Sequence, residues 1–406
     1  MDRALEHAGL PALERLVWVE VDLDVLTANA VALHSLARPA ALGAVVKADG
    51  YGHGLEMAGR CAVAGGAEWL CVADAAEAGR LRRDGYSGRI FVLYPVPPRI
   101  ASTMAGLAID VTVGSAREVR EIADHLTLDE PTLAVHLEIE TGMTRGGVAP
   151  EAALAAAAAI TNARSTTLAG VWTHLAAPEN APATDRQLTL LDSVVNRIAA
   201  AGIDAGVIHA VASGGLLAAH IEGQALVRIG LSLYGLHPGA GRRLPPSVAP
   251  ALAVRAYPVR IADVALGTAV GYAGTWVADR PSTIATLPIG YADGWSRSSS
   301  PGAWVLVDGH RAPVVGRVSS DSLTVDVTGI VGVGPDSEFT LLGRTSDDEI
   351  TADDVADVRG TISWEVLQQL GARLTRVYVS QGTPVALRSE SALDITTARG
   401  ARIPGY

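Results

Sequence analysis

Eight short apolar, mostly β-branched runs recur along the first part of the chain, and segments of helical period separate many of them. The strand-like runs are Leu42–Lys47, Trp69–Ala73, Arg89–Tyr94, Ile109–Val113, Leu133–Ile139, Leu168–His174, Val207–Ala212 and Leu226–Leu233. Glu77–Arg83 and Asp185–Ala200 have helical period, and the alanine run Ala152–Ile160 suits a packed helix because alanine is the best helix former. Strands joined through helices must cross over and pair in parallel. Eight such units predict an α/β fold with an N-terminal (β/α)8 TIM-type barrel. An open doubly wound sheet satisfies the same local pattern and stays open at this point.

The pattern changes near Pro238–Pro250, where Gly239, Gly241, Pro245, Pro246 and Pro250 read as a linker. Beyond it come Ala253–Val259, Ser282–Leu287, Trp304–Val307, Pro313–Val318, Leu323–Val327 and Glu338–Leu342, short alternating runs separated by turns. These predict a C-terminal, mostly antiparallel β domain with one helix near Ile362–Leu370. The expected division is a barrel over 1–240, a β domain over 241–388, and a polar tail over 389–406 that frays.

Composition narrows the function. With 49% hydrophobic and 18% charged residues, the 406-residue chain can bury a large core. A net charge of −11 lacks the basic face that nucleic acid requires, so no nucleic-acid partner is expected. Cys61 and Cys71 form no CxxC pair and have no His-rich neighbour, so neither a disulfide framework nor a metal site is expected. Asp2, Arg3, Glu6 and Glu14 interrupt the N-terminal apolar residues as no signal peptide would, and no apolar stretch is long enough to span a membrane. A cytoplasmic location is expected.

The sharpest local signal is Val45-Val46-Lys47-Ala48-Asp49-Gly50-Tyr51-Gly52-His53-Gly54. A lysine that ends an apolar strand is costly unless its charge is lost or paired, and a desolvated amine suits covalent chemistry with an aldehyde cofactor. Gly50, Gly52 and Gly54 would let backbone approach a ligand. A snorkelling lysine before a glycine-rich loop accounts for this segment equally well.

The chain resembles alanine racemase, a barrel-plus-β-domain family of pyridoxal-phosphate enzymes of fold type III, from about Trp18 to Tyr378. The lysine motif matches Val45–Gly54, and the substrate-arginine motif matches Glu140-Thr141-Gly142-Met143-Thr144-Arg145. Thr173-His174 and Arg228-Ile229-Gly230-Leu231-Ser232-Leu233-Tyr234-Gly235 follow, then Val270-Gly271-Tyr272 and Ile289-Gly290-Tyr291-Ala292-Asp293-Gly294. Gly316-Arg317-Val318-Ser319-Ser320-Asp321 and Gly360-Thr361-Ile362-Ser363-Trp364-Glu365 complete the series. Lys47, Arg145, His174, Ser213 and the arginine strand also fall at or just after predicted strand ends, where a barrel builds its active site.

The resemblance implies an isomerase that interconverts L- and D-alanine for D-alanine biosynthesis, with Lys47 and Tyr272 as the two catalytic bases. It implies that Lys47 carries pyridoxal 5'-phosphate as a Schiff base. Ser213, Tyr51, the backbone at Gly230 and Trp364 would hold the phosphate, with Arg228 at the pyridine nitrogen. Arg145, Ser320 and Tyr291 would meet the substrate, with Asp321 behind them. His174 would stand beside Tyr272 as the cationic or hydrogen-bonding neighbour that a phenol of pKa about 10 needs. The family sets Tyr272 of one subunit against Lys47 of the other, which implies a homodimer with shared active sites. Without the resemblance, Tyr272 reads as a packed strand residue. Many family members carry a modified lysine where this chain has Glu138, which would supply a ready carboxylate to orient Arg145; an exposed strand glutamate is the plain alternative.

Several positions depart from the family pattern. Ser319-Ser320 replaces Cys-Met, Trp364 replaces tyrosine, Ala212 replaces asparagine, Leu175 replaces phenylalanine, and Thr144 and Gly146 alter the arginine loop. These departures allow a substrate such as serine or another polar amino acid, on the reasoning that unpartnered serine hydroxyls favour a polar ligand. A decarboxylase of the same fold type, a non-enzymatic cofactor-binding barrel and a racemase relative without turnover are the competing functions. Arg228 argues against the first and Tyr272 against the second.

Overall fold

The computed structural model describes residues 1–129, 131–239, 243–391 and 395–406. The domain boundary expected at 240/241 and residues 392–394 of the tail lie outside the described residues. The chain forms two compact units, one of Val25–Gly50, Leu55–Ala249 and Pro404–Tyr406, the other of Met1–Asp24, Tyr51–Gly54 and Pro250–Ile403.

The first unit is a nearly closed barrel, which removes the open doubly wound sheet from consideration. Its eight parallel strands follow the chain: Ala41–Val45, Trp69–Val72, Arg89–Pro95, Ile109–Val113, Leu133–Glu138, Thr166–Trp172, Val207–His209 and Leu226–Ile229. The first pairs with the last, and an isolated bridge between Ala212 and Arg228 draws the seventh toward the eighth. Parallel strands are covered on both faces, so they read as unbroken apolar runs; every residue of Ile109–Val113 and Leu226–Ile229 is buried. Two strands stop three or more residues short of their sequence runs. Val207–His209 stops before Ala212 and Leu226–Ile229 before Leu233, because Gly230 turns the chain into a 3₁₀ turn over Leu231–Tyr234.

Among its described residues, the second unit carries a twelve-stranded sheet that is antiparallel except for one pair. Val17–Asp22 lies parallel to Thr375–Ser380 and antiparallel to Leu252–Ala256, so the N-terminal strand joins the C-terminal sheet. Leu5, Leu10 and Trp18 pack with Val377, Val379 and Leu387, which anchors the opening helix Asp2–His7 to that sheet. Ser282–Leu287 and Trp304–Val307 match their sequence bounds, and the helix expected near Ile362–Leu370 spans Ser363–Gln368. A second helix, Ala352–Arg359, was not anticipated; its capping box pairs Thr351 with Asp354. The tail does not simply fray. Thr396–Thr397 pairs with Thr383–Arg388 within this unit. In the barrel unit, the Tyr406 ring packs 4.9 Å from Tyr86 and lies over Arg60. No described helix is long and apolar enough to cross a membrane. Cys61 and Cys71 are both buried.

Candidate active site

Lys47 leaves the first barrel strand and enters an unusual backbone. Ala48, Asp49, Gly50 and Tyr51 all have φ between 51° and 63°, a left-handed turn. For L-residues with a Cβ this conformation costs roughly 1–2 kcal/mol each, so surrounding groups must enforce it. The Glu77 carboxylate, on the helix Ala75–Arg83, accepts the Ala48 N–H at 2.6 Å and the Ala73 N–H at 2.8 Å. Asp49 accepts the Leu55 N–H, and Arg80 bridges Asp49 to Glu56.

The glycines that follow do a different job from the one expected. A Cβ on Gly52 would sit 2.4 Å from the Leu367 carbonyl, and one on Gly54 would sit 2.1 Å from the Tyr378 hydroxyl. Both positions are bare so that protein can pack against protein within the second unit, and Arg376 ties Gly52 down through its carbonyl. Tyr51 itself is buried.

Across the barrel mouth stands Arg145, on the loop after Leu133–Glu138. Glu140 closes that loop by accepting the N–H groups of Gly142 and Arg145. Burial pushes the Glu140 carboxyl up, but four backbone donors outweigh it and hold it below the usual range. Glu138 is buried rather than exposed, and its Oε1 lies 3.4 Å from an Arg145 terminal nitrogen. Burial raises the Glu138 carboxyl pKa even though Arg145 pulls the other way. Gly146 gives this carboxylate room, since a Cβ there would meet Glu138 Oε2 at 3.1 Å. Tyr94, which sequence reasoning passed over, stands beside both cations. Lys47 Nζ is 5.9 Å from its ring centre and the Arg145 guanidinium carbon 5.5 Å. Its place at the end of a barrel strand was the available signal.

Arg228 is fully interior and touches no carboxylate among the described residues. One terminal nitrogen donates to His209 Nδ1 at 2.6 Å; the other donates to the Thr173 carbonyl at 2.9 Å and the Ala210 carbonyl at 3.2 Å. The guanidinium lies over the Trp172 ring. Burial lowers its pKa to about 10, so it remains a cation at neutral pH. His174 Nδ1 is 3.5 Å away. Burial, then Arg228, Arg145 and Lys47, push the His174 pKa down to about 3, so this ring is a neutral hydrogen-bonding group and not a cation. Gln187, a buried side chain not singled out from sequence, donates to the His174 carbonyl and to Thr141, whose hydroxyl meets that of Thr173. Ser213 is buried and its hydroxyl accepts the Ser232 N–H, below the bend at Gly230.

The remaining sequence candidates belong to the second unit. Tyr272 is 67% exposed at the head of a 3₁₀ turn, not the packed strand residue that its surroundings in sequence suggested. Tyr291 is also exposed. The neighbouring Asp293 is buried and bound by Arg15 and the Gly290 N–H. Trp364 is half-buried on Ser363–Gln368. The two serines are not unpartnered donors. Ser319 Oγ bonds Ser322 at 2.8 Å, and Ser320 bonds Asp321, which in turn accepts Arg373.

Fold and site together define a class: a lysine-bearing barrel with an additional β domain, its mouth ringed by Lys47, Arg145 and Arg228. The model of the alanine racemase N-terminal domain matches residues 21–238, and that of the C-terminal domain matches 251–378. An alanine racemase from Thermobifida fusca is 38% identical over 365 residues, 88% of this chain and 96% of that protein. The crystal structure of alanine racemase from Bacillus anthracis, with L-Ala-P bound, matches at TM-score 0.88 and 31% identity, over 93% of this chain and 99% of that one. A histidine racemase from Leuconostoc mesenteroides matches at TM-score 0.82 and 28% identity, covering 91% of this chain and 99% of its own. The chain belongs to the alanine racemase family, and it is an isomerase.

Proposed function

We propose that this chain interconverts L- and D-alanine with pyridoxal 5'-phosphate, as a cytoplasmic homodimer with shared active sites that supplies D-alanine. One observation carries the reading: Lys47, the chain's only lysine, and Arg145 both stand by the Tyr94 ring, and the buried Arg228 has no carboxylate partner among the described residues. The residues present suit the cofactor. The Ser232 hydroxyl is fully buried beside Ser213, with no partner among the described residues, and the pair of neutral groups is fit to hold a phosphate. Lys47 would hold the cofactor covalently, and Ser213, the Gly230 backbone, Tyr51 and Trp364 would serve its phosphate. When bound, it supplies an electron-withdrawing ring that acidifies the α-proton of an attached amino acid.

The chain's own groups do the rest. Arg145 receives the substrate carboxylate, and Glu138 aims it without any covalent modification. Arg228, a donor-only cation, would meet the cofactor's ring nitrogen and keep its own proton, which would favour clean proton exchange over side reactions. The Lys47 amine would take or return the α-proton on one face, and Tyr272 of the partner subunit would serve the other. His174, neutral, supports that phenol by hydrogen bonding. Tyr291 and Ser320 would line the substrate side, with Asp321 fixing Ser320.

A polar substrate loses its rationale, because both serine hydroxyls already have partners. The test is purified protein with pyridoxal phosphate and single enantiomers of alanine, serine and histidine, followed for inversion and for carbon dioxide release. Fast inversion of alanine supports the reading. Cofactor binding without inversion, or carbon dioxide release in its place, refutes it.

A further inference from the structure

Three buried polar residues of the barrel have no part in the chemistry above. Asp110 on Ile109–Val113, His136 on Leu133–Glu138 and His209 at the end of Val207–His209 lie on different strands, yet they connect. Asp110 Oδ2 is 3.2 Å from His136 Nε2, His136 Nδ1 is 2.9 Å from His209 Nε2, and His209 Nδ1 is 2.6 Å from Arg228. Asp110 is 6% exposed, Arg228 2% and both histidines 0%.

The two ends of this line set its direction. A guanidinium can only donate, and a carboxylate can only accept. His209 Nδ1 therefore accepts and its proton sits on Nε2, which donates to His136 Nδ1. His136 in turn carries its proton on Nε2 and donates to Asp110. An imidazolium at His209 would point an N–H at the guanidinium, so both rings are neutral, in keeping with burial and nearby cations, which lower both histidine pKa values. Aromatic walls lock the rings in place. Trp172 stacks on His209 with an interplanar angle of 2°, and Phe91 lies 4.4 Å from His136 and 5.4 Å from His209. At the far end Arg89, largely exposed, comes within 3.8 Å of the same Asp110 oxygen.

We propose that Asp110 is a positioning residue for Arg228, acting through His136 and His209 along a one-way line of hydrogen bonds. This rests on the reading of Arg228 as the group at the cofactor's ring nitrogen. The line fixes one arm of the guanidinium fork and gives it a distant countercharge without placing a carboxylate against the cofactor. A carboxylate in contact would offer that nitrogen a proton-sharing partner; two neutral rings between them prevent it.

The first experiment needs no variant. ¹⁵N-histidine NMR of the cofactor-loaded wild type should show His136 and His209 neutral, both with the proton on Nε2. A proton on His209 Nδ1, or a charged ring, overturns the proposal. The second is kinetic. Asp110→Ala should lower kcat for alanine by roughly 10–100-fold, the usual cost of losing an outer partner of a functional group. KM should hold, since Arg145 is untouched, and the Nε2 tautomer signals should be lost. Unchanged kcat in a folded Asp110→Ala protein overturns the proposal. If that variant does not fold, Asp110→Leu, which keeps the size and removes the acceptor, carries the same kinetic comparison, and wild-type kcat there is equally fatal. Wild-type protein that binds cofactor without racemising would instead refute the parent reading, whatever the tautomers.

Discussion

Glu138→Gln removes one negative charge 3.4 Å from Arg145 and keeps the side chain's shape. At an effective dielectric of about 20, the bare attraction at that distance is about 5 kcal/mol. Most of it does not survive. The Arg145 side chain is 37% exposed and therefore solvated, and 3.4 Å is long for a hydrogen bond. Burial of Glu138 outweighs the pull of Arg145, since the carboxyl pKa ends above its ordinary value. Charge-assisted hydrogen bonds contribute about 1.5–3 kcal/mol at good geometry, and this one falls below that range. A loss of about 1 kcal/mol in the aim of Arg145 corresponds to a roughly fivefold rise in KM for alanine. The fold should not suffer. A carboxyl whose folded pKa is raised binds more protons in the native state, so the wild type loses stability as pH climbs from the unfolded pKa through the folded one. Glu138→Gln should therefore be at least as stable as wild type at neutral pH and lack that decline. Polarimetric initial rates from each enantiomer, with melting followed between pH 4 and 8, provide the assay. Wild-type KM, or a loss confined to kcat, would refute the reasoning.

Borohydride reduction of the loaded protein should fix one cofactor per chain at Lys47, and Lys47→Ala should retain none; capture at the N-terminal amine would displace Lys47 from the role. Tyr272→Phe should cut racemisation about 10²–10⁴-fold with cofactor still bound, the usual contribution of a general acid–base group, and activity within a few-fold of wild type would free Tyr272 from it. Because the His174 pKa lies near 3, His174→Gln should leave the acid limb of the pH–rate profile between pH 5 and 7 where it is, and a shifted limb would show that the ring titrates there.

The barrel was legible because parallel strands buried on both faces leave apolar runs, and Ile109–Val113 matches its run residue for residue. Strand ends were less so. A β-branched run does not mark where pairing stops, which is why Ala212 and Leu233 were counted as strand. Asp110, His136 and His209 went unread for another reason. Each is a polar residue inside a mostly apolar run, and only barrel closure brings 136 beside 209. The pairing of Val17–Asp22 with Thr375–Ser380 joins segments at opposite ends of the chain, and no local pattern encodes it. The helix Ala352–Arg359, not anticipated from sequence, did carry a local signal: Thr351 and Asp354 three positions apart, with Gly360 beyond. Lys47, Arg145 and Arg228 were visible through their motifs, whereas Tyr94 belongs to none.

The left-handed stretch from Ala48 to Tyr51 is the handedness that L-amino acids avoid and D-amino acids prefer. A D-alanine built into position 48 by chemical ligation would sit without strain where the L-residue is held by Glu77. The lysine is thus mounted on a few residues of mirror-image backbone, and its neighbours must hold that local chirality whenever the chain is folded.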